Sequence, residues 1–237
     1  MVKLEGKIAF IAGGAGNVGE GIVRSFLKAG ATVITTSRKQ EKLDALRDRL
    51  GEITDNKFIP IVGSLGDIDS AEKLRDQILQ KSDRLDAVVA SIGGTWKDGV
   101  PMIQVSMEDW EKYILTNLTT HFVCARTFLP VLTKTKSSSY TFLGGSAAEN
   151  TIPNYSLVAI PAAGQLMMAK VLMEEMKDSG VRINEVMINS LVNTRATKEA
   201  KPEWITADEI GDYVAWLASD EAHMVRSSVP YLQEQSR

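Results

Sequence analysis

The chain has 237 residues and a formal net charge of −3. That length suits one sizeable α/β core, and the charge is too small to draw in nucleic acid or an anionic membrane. Cys124 is the single cysteine, which excludes an intramolecular disulfide, and with two histidines it offers no metal-ligand cluster, so no metal is expected.

Lys3, Glu5 and Lys7 break up the N-terminal stretch, and no secretory apolar segment follows them. No apolar run reads as approaching the ~18 residues that cross a bilayer, so a cytoplasmic protein without a membrane partner is expected. Short β-branched runs at 7–12, 31–36, 57–62, 86–90, 139–143 and 181–188 predict strands, and 228–232 predicts a short edge strand. Their apolar residues are nearly continuous rather than alternating, which suits strands covered on both faces. Helical stretches lie between them. Val18, Ile22, Val23, Phe26 and Leu27 share one face and stop at Gly30. Asp69 with Glu72, and Ser106 with Glu108 and Asp109, read as helix starts. The longest helix is predicted over 154–178. Strand–helix alternation along the whole length predicts an α/β protein: a Rossmann-type, doubly wound parallel sheet of about seven strands in three α/β/α layers. A single domain spanning 1–237 is expected.

The first strand runs into Gly13, Gly14, Ala15, Gly16, Asn17, Val18 and Gly19, and a helix follows at once. Glycines there permit a tight turn and let backbone N–H groups approach a pyrophosphate, to which the helix N-terminus adds partial positive charge. The alternative is a tight turn without a ligand. A glycine cluster alone is weak; between the first strand and first helix of a βαβ chain it is much stronger. Gly13, Gly16, Asn17, Val18 and Gly19 are therefore candidate dinucleotide contacts.

The second strand ends in Ser37, Arg38 and Lys39, with no acid before Glu41. Rossmann domains that prefer NAD place an acid near this point for the ribose 2′-hydroxyl. A hydroxyl and two cations suit a 2′-phosphate instead, so Ser37 and Arg38 favour NADP(H) over NAD(H). The alternative is a helix start with ordinary surface charges.

At this point the chain resembles the short-chain dehydrogenase/reductase family, from about Gly6 to Leu232. The likeness is carried by the glycine turn, by Asp83–Asp86 leading into the fourth strand, by 117–122 on the fifth helix, and by 205–210 followed by 216–220 at the last helix. The resemblance implies hydride transfer between a nicotinamide dinucleotide and a carbonyl or alcohol of a small-molecule substrate. In the family a Tyr is the general acid/base, a Lys lowers its pKa and holds the ribose, a Ser polarises the carbonyl and an Asn supports a proton-relay water. A phenol with an ordinary pKa near ~10 needs such a cation to work near neutral pH.

Asn117 matches the family's Asn. An ungapped register through the long helix puts Gly145 at the Ser position, Val158 at the Tyr position and Ala162 at the Lys position. The divergent chain thus lacks three of the four usual groups. Ser146, beside Gly145, and Tyr155, one turn before Val158, are the remaining candidates, and Lys170 is too far along the helix to assist Tyr155. Two functions stay open: an oxidoreductase with a non-standard catalytic site, and a catalytically inactive dinucleotide sensor, regulatory subunit or scaffold.

The resemblance places further cofactor contacts at Ser64 and Leu65 (the adenine side), at Ala90, Ser91 and Ile92 after the fourth strand, and at Thr194 near the carboxamide. It also implies a homodimer or homotetramer through the two long helices. His121 shares a helix face with Asn117 and reads as a packing residue or an alternative acid. Cys124 reads as a core thiol, and His223 as a surface residue. Trp96, Met102 and Tyr113 flank the expected substrate region, as pocket wall or ordinary packing. The segment 193–204 stands where the family has a substrate lid and is short.

Overall fold

The computed structural model describes residues 2–54, 56–94 and 99–234. β1 (Ile8–Ala12), α1 (Asn17–Lys28), β2 (Thr32–Ser37), α2 (Gln40–Leu50), β3 (Phe58–Val62), α3 (Ile68–Lys81) and β4 (Ala87–Ala90) form the first half. The second half holds α4 (Met107–Ile114), α5 (Thr120–Leu132), β5 (Ser139–Gly145), α6 (Ser156–Glu175), β6 (Arg182–Asn189), β7 (Val192–Asn193), β8 (Ile205–Thr206), α7 (Ala207–Ala218) and β9 (Tyr231–Gln233).

Seven strands make one parallel sheet in the order β3-β2-β1-β4-β5-β6-β9. Alternate residues of each strand enter one of two apolar cores. Phe10, Val88, Tyr140, Phe142 and Ile183 meet α3, α5 and α6 on one face. Ala9, Ile11, Val33, Val89 and Val186 meet α1, α2 and α7 on the other. Burial of both faces is why the strands read as continuous apolar runs, and the three-layer expectation holds.

Chain order reverses between β1 and β4, so the loops leaving their carboxyl ends diverge there, at the position where open parallel sheets take ligands.

The boundaries differ from the sequence reading in three places. Asp67, not Asp69, caps α3, accepting the Ser70 N–H at 2.8 Å; Asp69 sits in the first turn. Those hydrogen bonds from Ser70 hold the Asp67 carboxyl below its ordinary range. Ser106 caps α4 as expected. The long helix starts at Ser156 because Asn154 has φ +69°, a left-handed conformation no right-handed helix can include. The edge strand is displaced to Tyr231–Gln233 because Pro230 has no N–H; Ser228 keeps only an isolated bridge with Asn184.

α6 also overturns the expectation about apolar runs. It is a 20-residue helix whose length and composition alone would let it cross a bilayer. In this fold it instead buries Leu157, Pro161, Gln165, Leu166, Ala169 and Met173.

Candidate active site

The glycine turn closes the switch point. Gly13 has φ +84°, and a Cβ there would lie 2.0 Å from the Ser91 carbonyl oxygen. Only glycine lets β1 and β4 come together, with the Ser91 N–H bonded to Ala12 O at 2.9 Å. A Cβ on Gly19 would lie 2.1 Å from Gly13 O, which seats α1 directly on the turn. Gly16 caps α1 with backbone alone; among the described residues no side chain caps this helix, and its first internal bond runs from Glu20 N–H to Gly16 O. The amides of Asn17, Val18 and Gly19 thus face out of the N-terminus, a donor set suited to an anion.

The end of β2 lies beside this turn. Ser37 Oγ accepts the Lys39 N–H at 3.2 Å, while Arg38 and Lys39 are exposed. Ser64 Oγ accepts the Gly66 N–H at 3.0 Å. Leu65 and Ala90 have buried side chains, so each can offer a ligand only its backbone.

Beyond β4 the chain passes through Ile92 into Gly93 and Gly94, both at positive φ. A Cβ on Gly93 would come within 2.8 Å of Asn117 Oδ1, so this loop and Asn117 touch. Asn117 lies in a five-residue π turn, Leu115–Thr119, joining α4 to α5. Such turns recur at functional sites because the extra residue redirects side chains and frees a backbone group. Among the described residues Asn117 Oδ1, which is buried, has no hydrogen-bond partner, a state an isolated protein rarely tolerates. This orphan acceptor and the uncapped α1 N-terminus are both groups that a bound dinucleotide and its water can satisfy, so the residues present fit the cofactor.

His121, one turn on, is buried, with Nε2 3.2 Å from the Ile92 carbonyl. Burial lowers its pKa to about 4 despite that bond, so the ring is neutral, Nε2 carries the proton and donates, and Nδ1 has no partner among the described residues. It ties α5 to the β4 loop. That tie joins residues 29 apart in sequence, which periodicity could not show. Cys124 is buried as expected, and burial pushes its thiol up to about 12.

The other wall is β5 and the start of α6. Gly145 ends β5 opposite Ile188, and among the described residues a Cβ there would meet only Ile188 O, at 3.9 Å. Ser146 begins a short 3-10 turn, Ser146–Ala148, that packs on α6. Tyr155 occupies the position before α6 and its ring edge abuts Gly99, which a Cβ would bring within 3.0 Å. Val158 and Ala162 follow on the next two turns of α6, whose N-terminal half packs against both the Ser146 turn and the π turn of Asn117. The fold therefore brings Asn117, Ser146 and Tyr155 to one end of the sheet.

Thr194 lies between β7 and β8. Its hydroxyl accepts the Ala196 N–H at 3.2 Å and lies 3.3 Å from Thr197 Oγ1. Pairing of β7 with β8 closes the base of the segment over 194–204. Tyr113 is buried in α4, whereas Met102 is exposed; Trp96 lies outside the described residues. His223 is exposed.

Residues 7–204 match the short chain dehydrogenase family, and the chain belongs to it. Members of this family are oxidoreductases that bind a nicotinamide dinucleotide. The chain is 26% identical to the 3-oxoacyl-(acyl-carrier-protein) reductase of Thermotoga maritima, over 96% of each chain. It is 27% identical to serine 3-dehydrogenase of Agrobacterium fabrum, over 90% of this chain and 88% of the relative. Among solved structures, a short-chain type dehydrogenase/reductase from Mycobacterium ulcerans superposes with a TM-score of 0.89 at 19% identity, covering 98% of this chain and 90% of that one. The RhlG/NADP active-site complex of Pseudomonas aeruginosa superposes at 0.85 with 22% identity, covering 98% and 96%. At such identities the structures share the fold.

Proposed function

We propose that this chain is an NADP(H)-dependent oxidoreductase that interconverts a carbonyl and an alcohol on a small molecule through a non-standard site. The observation that carries the reading is the α1 N-terminus, capped by no side chain and flanked by Arg38 and Lys39, with no ion pair or side-chain hydrogen bond to either cation among the described residues. Gly13, Gly16, Asn17, Val18 and Gly19 would hold the pyrophosphate, and Ser37 and Arg38 the 2′-phosphate. Ser64, Leu65, Ala90, Ser91 and Ile92 would line the adenine and ribose path, and Thr194 would meet the carboxamide. Bound NADP(H) supplies or accepts the hydride. Tyr155 would exchange the substrate proton at its hydroxyl, Ser146 would orient the substrate oxygen, and Asn117 would hold the relay water at Oδ1.

A second reading, a dinucleotide-binding protein without turnover, is favoured by one observation: Gly145, Val158 and Ala162 place no hydroxyl, phenol or ammonium where the family has them.

NADPH and NADH binding by fluorescence, followed by a carbonyl and alcohol screen with wild type and Tyr155→Phe, separates these readings. Loss of turnover in Tyr155→Phe is expected; tight NADPH binding with no turnover in wild type would decide for the silent protein. Arg38→Ala should weaken NADPH ~10-fold or more while sparing NADH, the value of one charge-assisted contact. Equal effects on both would refute the phosphate role.

The assembly we propose is a homodimer, or a homotetramer built from it, through α5 and α6. An apolar groove of about 1000 Å³ runs between these helices, with Phe122 51%, Met167 59% and Val171 46% exposed. A second copy would cover these side chains. The proposed compartment is the cytoplasm.

A further inference from the structure

Glu20 stands in the first turn of α1, buried, directly behind the phosphate turn. Its carboxylate gathers three guanidinium groups: Arg24 at 3.0 Å on Oε1, and Arg49 at 2.9 Å and Arg195 at 2.8 Å on Oε2. Arg24 is also held by Asp208 at 2.6 Å. Three cations against two carboxylates leave one positive charge in excess beside the turn.

The three arginines are not equivalent. Arg24 is fastened by two acids and its side chain is 24% exposed. Arg49 is 35% exposed, and Arg195 is the most exposed at 41%. Arg195 comes from the segment between β7 and β8, 175 residues from Glu20 in sequence. Its Nη2 already reaches the phosphate turn, 3.4 Å from the Ala15 carbonyl. It shares Oε2 with Arg49, so its departure would leave Glu20 still paired on both oxygens. Releasing it therefore strands no buried charge, the costly outcome when an ion pair is broken from one side.

We propose that Arg195 is a cofactor-positioning residue shared between Glu20 and the diphosphate of a dinucleotide at the α1 N-terminus, coupling occupancy of the phosphate turn to the placement of the 194–204 segment. A guanidinium exchanges half a share of a carboxylate oxygen for the oxygens of an anionic diphosphate, which suit its planar fork. The segment carrying Thr194 then moves with the cation it bears. The inference rests on the dinucleotide reading above.

The test uses the full chain as wild type, Arg195→Ala and Arg195→Lys. NADPH and NADH are titrated by fluorescence at low and high salt, and cleavage at Glu199 and Glu203 by a glutamate-specific protease is followed with and without NADPH. Arg195→Ala should weaken both dinucleotides alike, ~10-fold, since both carry the diphosphate. It should also flatten the salt dependence, and Arg195→Lys should recover part of the affinity. NADPH should protect the segment in wild type and fail to protect it in Arg195→Ala. Binding by Arg195→Ala within two-fold of wild type, with protection retained, would reduce Arg195 to a structural latch and overturn this inference alone. Failure of wild type to bind either dinucleotide would overturn the dinucleotide reading and this inference together.

Discussion

Glu185 offers a sharp quantitative test of the packing. It lies in β6 and is fully buried against α6. Gln165 Nε2 donates to Glu185 Oε1 at 3.2 Å and to the Leu143 carbonyl at 2.8 Å, while Glu185 Oε2 is buried and has no hydrogen-bond partner among the described residues. A Cβ on Gly144 would lie 2.3 Å from Oε1, so the carboxyl fits only because that position is glycine. Burial pushes its pKa up from 4.5 to about 7; the Gln165 bond and Lys170 pull it down, and Glu149 adds to the rise. The native state thus keeps a proton that the unfolded chain releases near 4.5. The stabilisation is complete below that pH and disappears as pH rises through about 7. At ~1.4 kcal/mol per pH unit this amounts to about 3 kcal/mol.

Glu185→Gln keeps the acceptor for Gln165 and cannot ionise. Urea unfolding of both proteins from pH 5 to pH 9 should show the variant gaining on wild type by about 2.5 kcal/mol, most of it before pH 8. A difference that is flat across this range would refute the buried, protonated carboxyl. A variant that loses ground as pH rises would show instead that the carboxylate is stabilised, with Lys170 the cation that favours it.

Other perturbations follow from the same contacts. Gly13→Ala combines a disfavoured positive φ with a 2.0 Å clash against Ser91 O, and should cost ~3 kcal/mol or more, lowering Tm by about 10 °C in a thermal melt. Arg182 is buried and donates to the carbonyls of Leu217, Ala218, Ser219 and Ala222 at the end of α7. Arg182→Met should cost ~3 kcal/mol and speed amide exchange in α7 relative to β1; unchanged exchange there would argue against the cap. Met167→Asp should convert the proposed dimer to monomer in sedimentation without loss of helix content, and an unchanged mass would place the interface elsewhere.

Most of the fold was legible because its cause is local. A strand buried on both faces is apolar at nearly every position, as β1 and β4 are. Ser106 and the Gly30 stop mark helix ends by chemistry confined to a few residues. The phosphate turn was legible as a glycine cluster; Gly19 is demanded by backbone approach within one βα unit, whereas Gly13 is demanded by its positive φ and by Ser91 after β4. Errors came at element ends, where one residue's backbone decided. Pro230 displaced β9, and the left-handed Asn154 delayed α6. The apolar character of α6 became interpretable only with its burial pattern in hand.

Sequence alone determined the alternation of elements, the glycine turn and the cations after β2. Those properties reside in residue identity and short spacing. Tertiary structure alone decided that Glu20 gathers arginines from α1, α2 and the β7–β8 segment, that His121 holds Ile92, and that Glu185 is buried against Gln165. Each depends on chain segments brought together by the sheet, where removal of water lets a charge or ring nitrogen be governed by its neighbours instead of by its own chemistry.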